Sequence, residues 1–164
     1  MKNSIYVIVT SGGKGLRFKN GKTGKPKQYL MLKGKPVILH SLKVFQNIPE
    51  VKGIYISADS EYFSYLHSLS SKHKITKLKA LVEGGKTRFE SVRNAFNQVN
   101  CRLNDIILIH DAARPNISAV DIKSLLKDVR KYSEVIPAVK ISDTVKKTDG
   151  KLITETIPRD KLWL

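Results

Sequence analysis

The run Ile5-Tyr6-Val7-Ile8-Val9-Thr10-Ser11-Gly12-Gly13-Lys14-Gly15-Leu16-Arg17 decides the fold. Its first half is a continuous apolar stretch rich in β-branched residues, the pattern of a strand covered on both faces. Its second half is a glycine-rich turn. Glycines let the backbone reverse sharply and aim N–H groups at an anion, and Lys14 and Arg17 add positive charge. Two familiar loops nearly fit and fail. A dinucleotide fingerprint needs a third glycine where Phe18 stands, and a Walker A loop needs four residues between its glycines, whereas five separate Gly15 from Gly21. Taken alone, the turn is equally well a plain chain reversal.

Working outward, short apolar runs alternate with helical periodicity, which predicts an α/β fold with a mostly parallel sheet. Pro36 opens a helix with Val37, Ser41, Val44 and Ile48 on one face and Ile38, Leu42 and Phe45 beside them. Residues 53–58 read as a strand, 61–72 as a weaker helix and 79–82 as a third strand. Val92, Ala95, Phe96 and Val99 mark the next helix. Residues 106–109 read as the most buried strand, covered on both faces. Ile122, Leu125, Leu126 and Val129 repeat the helical spacing, and 135–139 reads as another strand. Beyond Ser142 come two polar, threonine-rich strands, about 144–148 and 151–157, joined at Asp149-Gly150. With so few apolar residues this hairpin reads as a projecting β-arm, spanning about 142–159. There is no repeat, low-complexity segment or linker, so residues 1–164 read as one domain.

Composition excludes more than it selects. Hydrophobic residues at 41% and charged residues at 27% are those of a globular protein. The apolar stretch near the start is too short to cross a bilayer and lacks a signal-peptide cleavage site. The lone Cys101 can make neither an internal disulfide nor a metal site by itself, which fits a reducing cytoplasm. The formal charge of +16 permits anionic partners. However, 23 lysines against 7 arginines, spread along the chain, suit a solvated surface better than geometric phosphate reading. No basic recognition helix or stacking sheet supports a nucleic-acid-binding module, and neither nucleic acid nor membrane is expected as a partner.

Ligands of open α/β sheets bind beyond the carboxyl ends of the strands, and four polar clusters fall there. The glycine turn is the first. Lys25-Pro26-Lys27-Gln28 is the second, where Pro26 stiffens the chain before a lysine able to fold over the same anion. Glu83-Gly84-Gly85-Lys86-Thr87-Arg88, with Ser91 one turn later, is the third; it is either a capped strand-to-helix turn or a close backbone approach to a planar base. His110-Asp111-Ala112-Ala113-Arg114-Pro115 is the fourth. There Asp111 can meet hydrated Mg²⁺ and Arg114 a phosphate, while His110 reads as a packed, hydrogen-bonded histidine.

Together, SGGKGLRF, PKQY, EGGKTRFESV, HDAARP, SDTVKK and TIPRDKLWL resemble, in order and spacing, the 2-C-methyl-D-erythritol 4-phosphate cytidylyltransferases of the non-mevalonate isoprenoid pathway. The resemblance implies a three-layer, Rossmann-like nucleotidyltransferase sheet, CTP as co-substrate, Mg²⁺ as cofactor, a homodimer joined through the β-arm, and a cytoplasmic location. By motif position it implies Arg17, Lys27 and Arg159 as catalytic residues. It implies Gly12, Gly13, Lys14, Gly15, Gly85, Lys86, Ser91, Asp111 and Ala112 around CTP, with Asp111 on the metal. Arg114, Thr144 and Arg159 would hold the acceptor phosphate. The chain departs from the family pattern at Thr10 and Ser11, where paired alanines are usual, and at Phe18, where methionine is. Family members also continue past the LWL segment, so the apolar end at Leu164 suggests a shortened chain. The expected reaction is cytidylyl transfer to 2-C-methyl-D-erythritol 4-phosphate with release of pyrophosphate. Ribitol 5-phosphate is the alternative acceptor.

Overall fold

The computed structural model of the chain describes residues 3–13 and 25–164. Lys14, Gly15, Arg17 and Phe18 lie outside those residues. The chain divides into two compact units, residues 1–119 and 120–164.

In the first unit, β1 (Ile5–Thr10), β4 (Val51–Ala58), β5 (Leu78–Glu83) and β6 (Ile106–Asp111) form one parallel sheet in the order β5-β4-β1-β6. β1 is an inner strand, so Ile5, Val7, Ile8 and Val9 are buried, as the apolar run requires. Helix α1 (Val37–Gln46) follows a short hairpin of β2 (Met31–Leu32) and β3 (Lys35–Pro36) that the sequence reading did not anticipate. A 3-10 turn (Ser60–Tyr62) leads into α2 (Phe63–Lys72), and α3 (Arg88–Phe96) joins β5 to β6.

Each face of the sheet has its own core. Ile8, Tyr55 and Ala95 pack together with Tyr6, Ala80, Val99 and Ile107, which places α3 on that face. Side chains alternate along a strand, so Val7, Val9 and His110 point the other way, where Phe45 of α1 meets the His110 ring edge-on at 5.3 Å. The buried positions of α1 are Ile38, Leu39, Ser41, Leu42 and Phe45. Its buried stripe is thus centred on Ile38 and Phe45, with Val37 and Val44 only half-buried. Each fully buried leucine or phenylalanine here stabilises the fold by about 1.5–3 kcal/mol.

Three sequence expectations are corrected. Residues 106–109 are not the most buried strand: among the described residues β6 is the edge of its sheet, and Ile109 is 48% exposed. Phe96 has the helical spacing of a core residue yet is 47% exposed, because α3 lays its small residues Ser91 and Ala95 against the sheet. Residues 135–139 form no strand. Pro137 has no N–H to give a ladder, and pairing begins only at Val139, which exchanges hydrogen bonds with Leu164, followed by the Lys140–Trp163 bridge and the Ile141 N–H donating to the Leu162 carbonyl.

The second unit takes up α4 (Ala119–Asp128) from the boundary and contains the hairpin β7 (Val145–Thr148) and β8 (Ile153–Ile157). Ile122 is its buried helical residue. The hairpin is antiparallel as expected, and its turn needs the glycine at Gly150, where φ is +103°. Arg159 donates to the Ser142 carbonyl, closing the base of the hairpin. Most hairpin side chains are exposed.

Candidate functional site

The strand order locates the site before any residue is considered. From β1 the chain moves through α1 and α2 to β4 and β5, then returns through α3 across the sheet to β6. The direction of winding therefore reverses between β1 and β6, and a crevice opens beyond their carboxyl ends. A cleft of about 1120 Å³ lies there. Lys27, Gly12, Gly13, Gly85, Lys86, Ser91, Asp111, Ala112 and Arg114 all line it, so the structure brings four separated sequence clusters onto one surface. Thr144 and Arg159 belong to the second unit. Lys14, Gly15 and Arg17 fall outside the described residues.

Asp111 is the electrostatic centre. It ends β6 opposite Thr10 of β1, and the Thr10 hydroxyl donates to its Oδ1 at 3.1 Å. Arg88, at the first position of α3, donates to the same oxygen from Nε at 3.0 Å, and Arg114 Nε stands 3.1 Å from Oδ2. Burial pushes the carboxyl up, but the Arg88 hydrogen bond and charge, the Thr10 hydroxyl and the Arg114 charge outweigh it and hold Asp111 below the usual carboxylate range. A depressed folded value means the pairing stabilises the fold fully above the unfolded pKa and is lost as pH falls through the folded one. The arginine side chains are 62% and 79% exposed, so each ion pair is worth only about 0–1 kcal/mol and can be exchanged for a stronger anion.

The Gly84-Gly85 turn is built from inside. Thr87 caps α3 by accepting from the Glu90 N–H at 3.1 Å, and Glu90 accepts from the Lys86 N–H at 2.7 Å. Ser91 accepts from the Gly85 N–H at 3.0 Å and donates to the Thr87 carbonyl at 2.9 Å. A Cβ at Gly85 would lie 2.2 Å from that of Glu90. Gly85→Ala is therefore expected to destabilise the protein by about 1–3 kcal/mol. In a thermal melt that is a loss of about 2–12 °C, and an unchanged melting temperature would show that this contact is not held.

His110 is a packed histidine, as expected. It is buried, and its Nε2–H donates to the Arg114 carbonyl at 3.1 Å, which shapes the turn that carries Arg114. Burial pushes its imidazole below the usual range despite that hydrogen bond, so the ring is neutral at pH 7.

Arg88, Asp59 and Gln28 are among the cleft residues that carried no assigned role in the sequence reading. Arg88 stood inside a quoted motif, but its pairing with Asp111 spans the whole β5–β6 crossover. Asp59 follows the carboxyl end of β4 and lines the cleft, and the strand-end rule that singled out Asp111 applies to it equally. Gln28 lines the cleft while almost wholly buried.

A parallel, doubly wound sheet with a cation-rich cleft at its switch point defines the class: a Rossmann-like α/β domain whose cleft suits an anionic ligand. The family model for IspD, 2-C-methyl-D-erythritol 4-phosphate cytidylyltransferase, matches residues 5–164, and the chain belongs to that family. It is 35% identical over 158 residues to the 2-C-methyl-D-erythritol 4-phosphate cytidylyltransferase of Lysinibacillus sphaericus, covering 96% of this chain and 66% of that protein. The crystal structure of the Francisella tularensis enzyme of the same name superposes with a TM-score of 0.76 at 32% identity, over 99% of this chain and 69% of that one. A ribitol-5-phosphate cytidylyltransferase of Streptococcus agalactiae is 30% identical over 160 residues, 96% of this chain and 66% of that protein. The chain thus spans about two thirds of the length of the curated relatives it matches.

Proposed function

We propose that this protein transfers a cytidylyl group from CTP to 2-C-methyl-D-erythritol 4-phosphate and releases pyrophosphate. The observation that carries the reading is the Asp111 cluster, in which two exchangeable arginines meet one carboxylate in the cleft of a chain of this family. The acceptor is a phosphomonoester with a second pKa of about 6, mostly a dianion at neutral pH and already a nucleophile. No activated serine or cysteine is needed. The site has to hold two anions together and stabilise the charge that builds on the α-phosphate and the departing pyrophosphate. Lys27 and Arg17 are assigned to that charge, and the glycine turn after β1 to the phosphates. Gly85, Lys86 and Ser91 are assigned to the base, Asp111 and Ala112 to the ribose and metal side. Arg114 would meet the acceptor phosphate.

Mg²⁺ fits the donor set in one respect. Among the described residues no group of three or more acidic, histidine or cysteine side chains could hold a metal ion, so these residues offer no cage. Mg²⁺ typically takes only one or two carboxylates and completes its shell with substrate phosphates and water, and Asp111 can be such a ligand. Bound there, the ion would neutralise triphosphate charge. The exchange that frees Asp111 is performed by the protein: Arg88 and Arg114 leave the carboxylate for phosphate oxygens, which they can grip bidentately.

The hairpin, with Thr144 and Arg159, is assigned as an arm that completes the acceptor site of a second copy in a homodimer. Among the described residues no helix is long and apolar enough to cross a membrane. The cytoplasmic location is carried over from the family resemblance alone. Ribitol 5-phosphate is the second reading, favoured by the streptococcal relative. Pyrophosphate release is to be followed with CTP, Mg²⁺ and each acceptor in turn. Faster turnover with 2-C-methyl-D-erythritol 4-phosphate is the expected result. Faster turnover with ribitol 5-phosphate would reassign the acceptor, and salt-sensitive duplex binding that CTP does not block would overturn the whole reading.

A further inference from the structure

We propose that Gln28 is a positioning residue that locks the Lys27 turn to the glycine turn after β1, so that both meet the nucleotide phosphates as one preset unit. The proposal rests on the function proposed above. Gln28 is 4% exposed, and its Nε2 donates to two carbonyls of the glycine turn, Ser11 at 2.5 Å and Gly13 at 3.4 Å. The adjacent Tyr29 adds a second tie, its hydroxyl 2.8 Å from Ser11 Oγ. Tyr29 is itself held by stacking on Tyr62 at 4.3 Å and by an edge contact with Tyr65. Ser11 is anchored to the sheet from the other side through its N–H, which donates to the Ser57 carbonyl at 2.6 Å.

Two consequences make this more than packing. A trans peptide sets its C=O and the next N–H in opposite directions. Capturing the Ser11 carbonyl therefore turns the Gly12 N–H away from Gln28, and Gly12 lines the cleft. Lys27 directly precedes Gln28 in a 3-10 turn closed by Tyr29 N–H to the Pro26 carbonyl and Leu30 N–H to the Lys27 carbonyl. The anchor that aims the Gly12 donor thus also fixes the backbone from which Lys27 enters the cleft. Such pre-orientation matters for phosphate binding and little for a nucleoside without phosphates.

Calorimetry well below the melting temperature tests this on the whole chain, with CTP and cytidine as ligands. Gln28→Met keeps the approximate volume but has no donor, and should weaken CTP by about tenfold or more while changing cytidine by less than about threefold. Gln28→Glu has the native shape but at neutral pH points a carboxylate at two carbonyls. Its CTP affinity relative to the wild type should recover as pH falls and the protonated acid regains a donor. Equal weakening of CTP and cytidine, or a lowered melting temperature with unchanged CTP affinity, would make Gln28 a structural residue only and overturn the proposal. If Gln28→Met does not fold, the pH series of Gln28→Glu decides alone, a flat ratio to the wild type being the adverse result. A wild type that binds no CTP would instead overturn the proposed function, and the role of Gln28 with it.

Discussion

Replacing Lys27 with alanine is expected to lower kcat about 100- to 1000-fold, by analogy with the loss of one oxyanion donor, while leaving KM for CTP within about threefold. The split follows from where the charge is needed. In the proposed ground state the triphosphate would already be met by Arg88 and backbone donors, so one ammonium adds little to binding. As the α-phosphorus is attacked, negative charge grows on its oxygens and on the leaving pyrophosphate, and an ammonium fixed beside them gains interaction only then. A residue of that kind lowers kcat and kcat/KM together when removed. Lys27 suits the role because its turn is rigid: Pro26 precedes it, and Gln28 and Tyr29 are buried behind it. Steady-state kinetics with varied CTP checks the prediction. A raised KM with unchanged kcat would make Lys27 a binding residue, and no change in either would remove it from the site.

The order of strands and helices was legible because each element announces itself locally. Ile5 to Val9 could hardly be anything but a covered strand, and Pro36 and Thr87 mark where helices begin. What a sequence does not disclose is which strand lies at an edge. The isoleucines of β6 look as buried as those of β1, yet only pairing order decides that, among the described residues, Ile109 has one neighbouring strand. Periodicity misplaced Phe96 for a related reason, since the α3 face nearest the sheet is the one with the least side chain. For the site, the strand-end rule and the ordered motifs named four clusters, and residues of all four line one cleft. The partnerships stayed hidden, because they join residues far apart in sequence: Arg88 with Asp111 across α3, and Gln28 with Ser11 and Gly13 across the loop. Resemblance to a family supplied roles for single residues without supplying these contacts.

Asp111→Asn should separate the two states of the cleft by changing nucleotide affinity in opposite directions with and without metal. In the resting protein the carboxylate holds Arg88 and Arg114 and sets a negative charge where phosphates must arrive. Asparagine keeps the shape, removes that charge and releases both guanidiniums. Without Mg²⁺, in the presence of a chelator, CTP should therefore bind the variant as tightly as the wild type or more tightly. With Mg²⁺ the balance reverses, because an amide is a poor ligand for a hard cation compared with a carboxylate. The variant should then lose at least about tenfold in affinity, about 1.4 kcal/mol, relative to the wild type. Calorimetry under the two conditions reads both signs. If Asp111 served only to hold the arginines in place, its loss would weaken CTP equally in both, and the assignment of the metal to this carboxylate would fall. The acid side gives an independent check. Protonating Asp111 imitates the amide, so the wild type's advantage in Mg²⁺-dependent binding should fade as pH drops through the depressed carboxyl pKa.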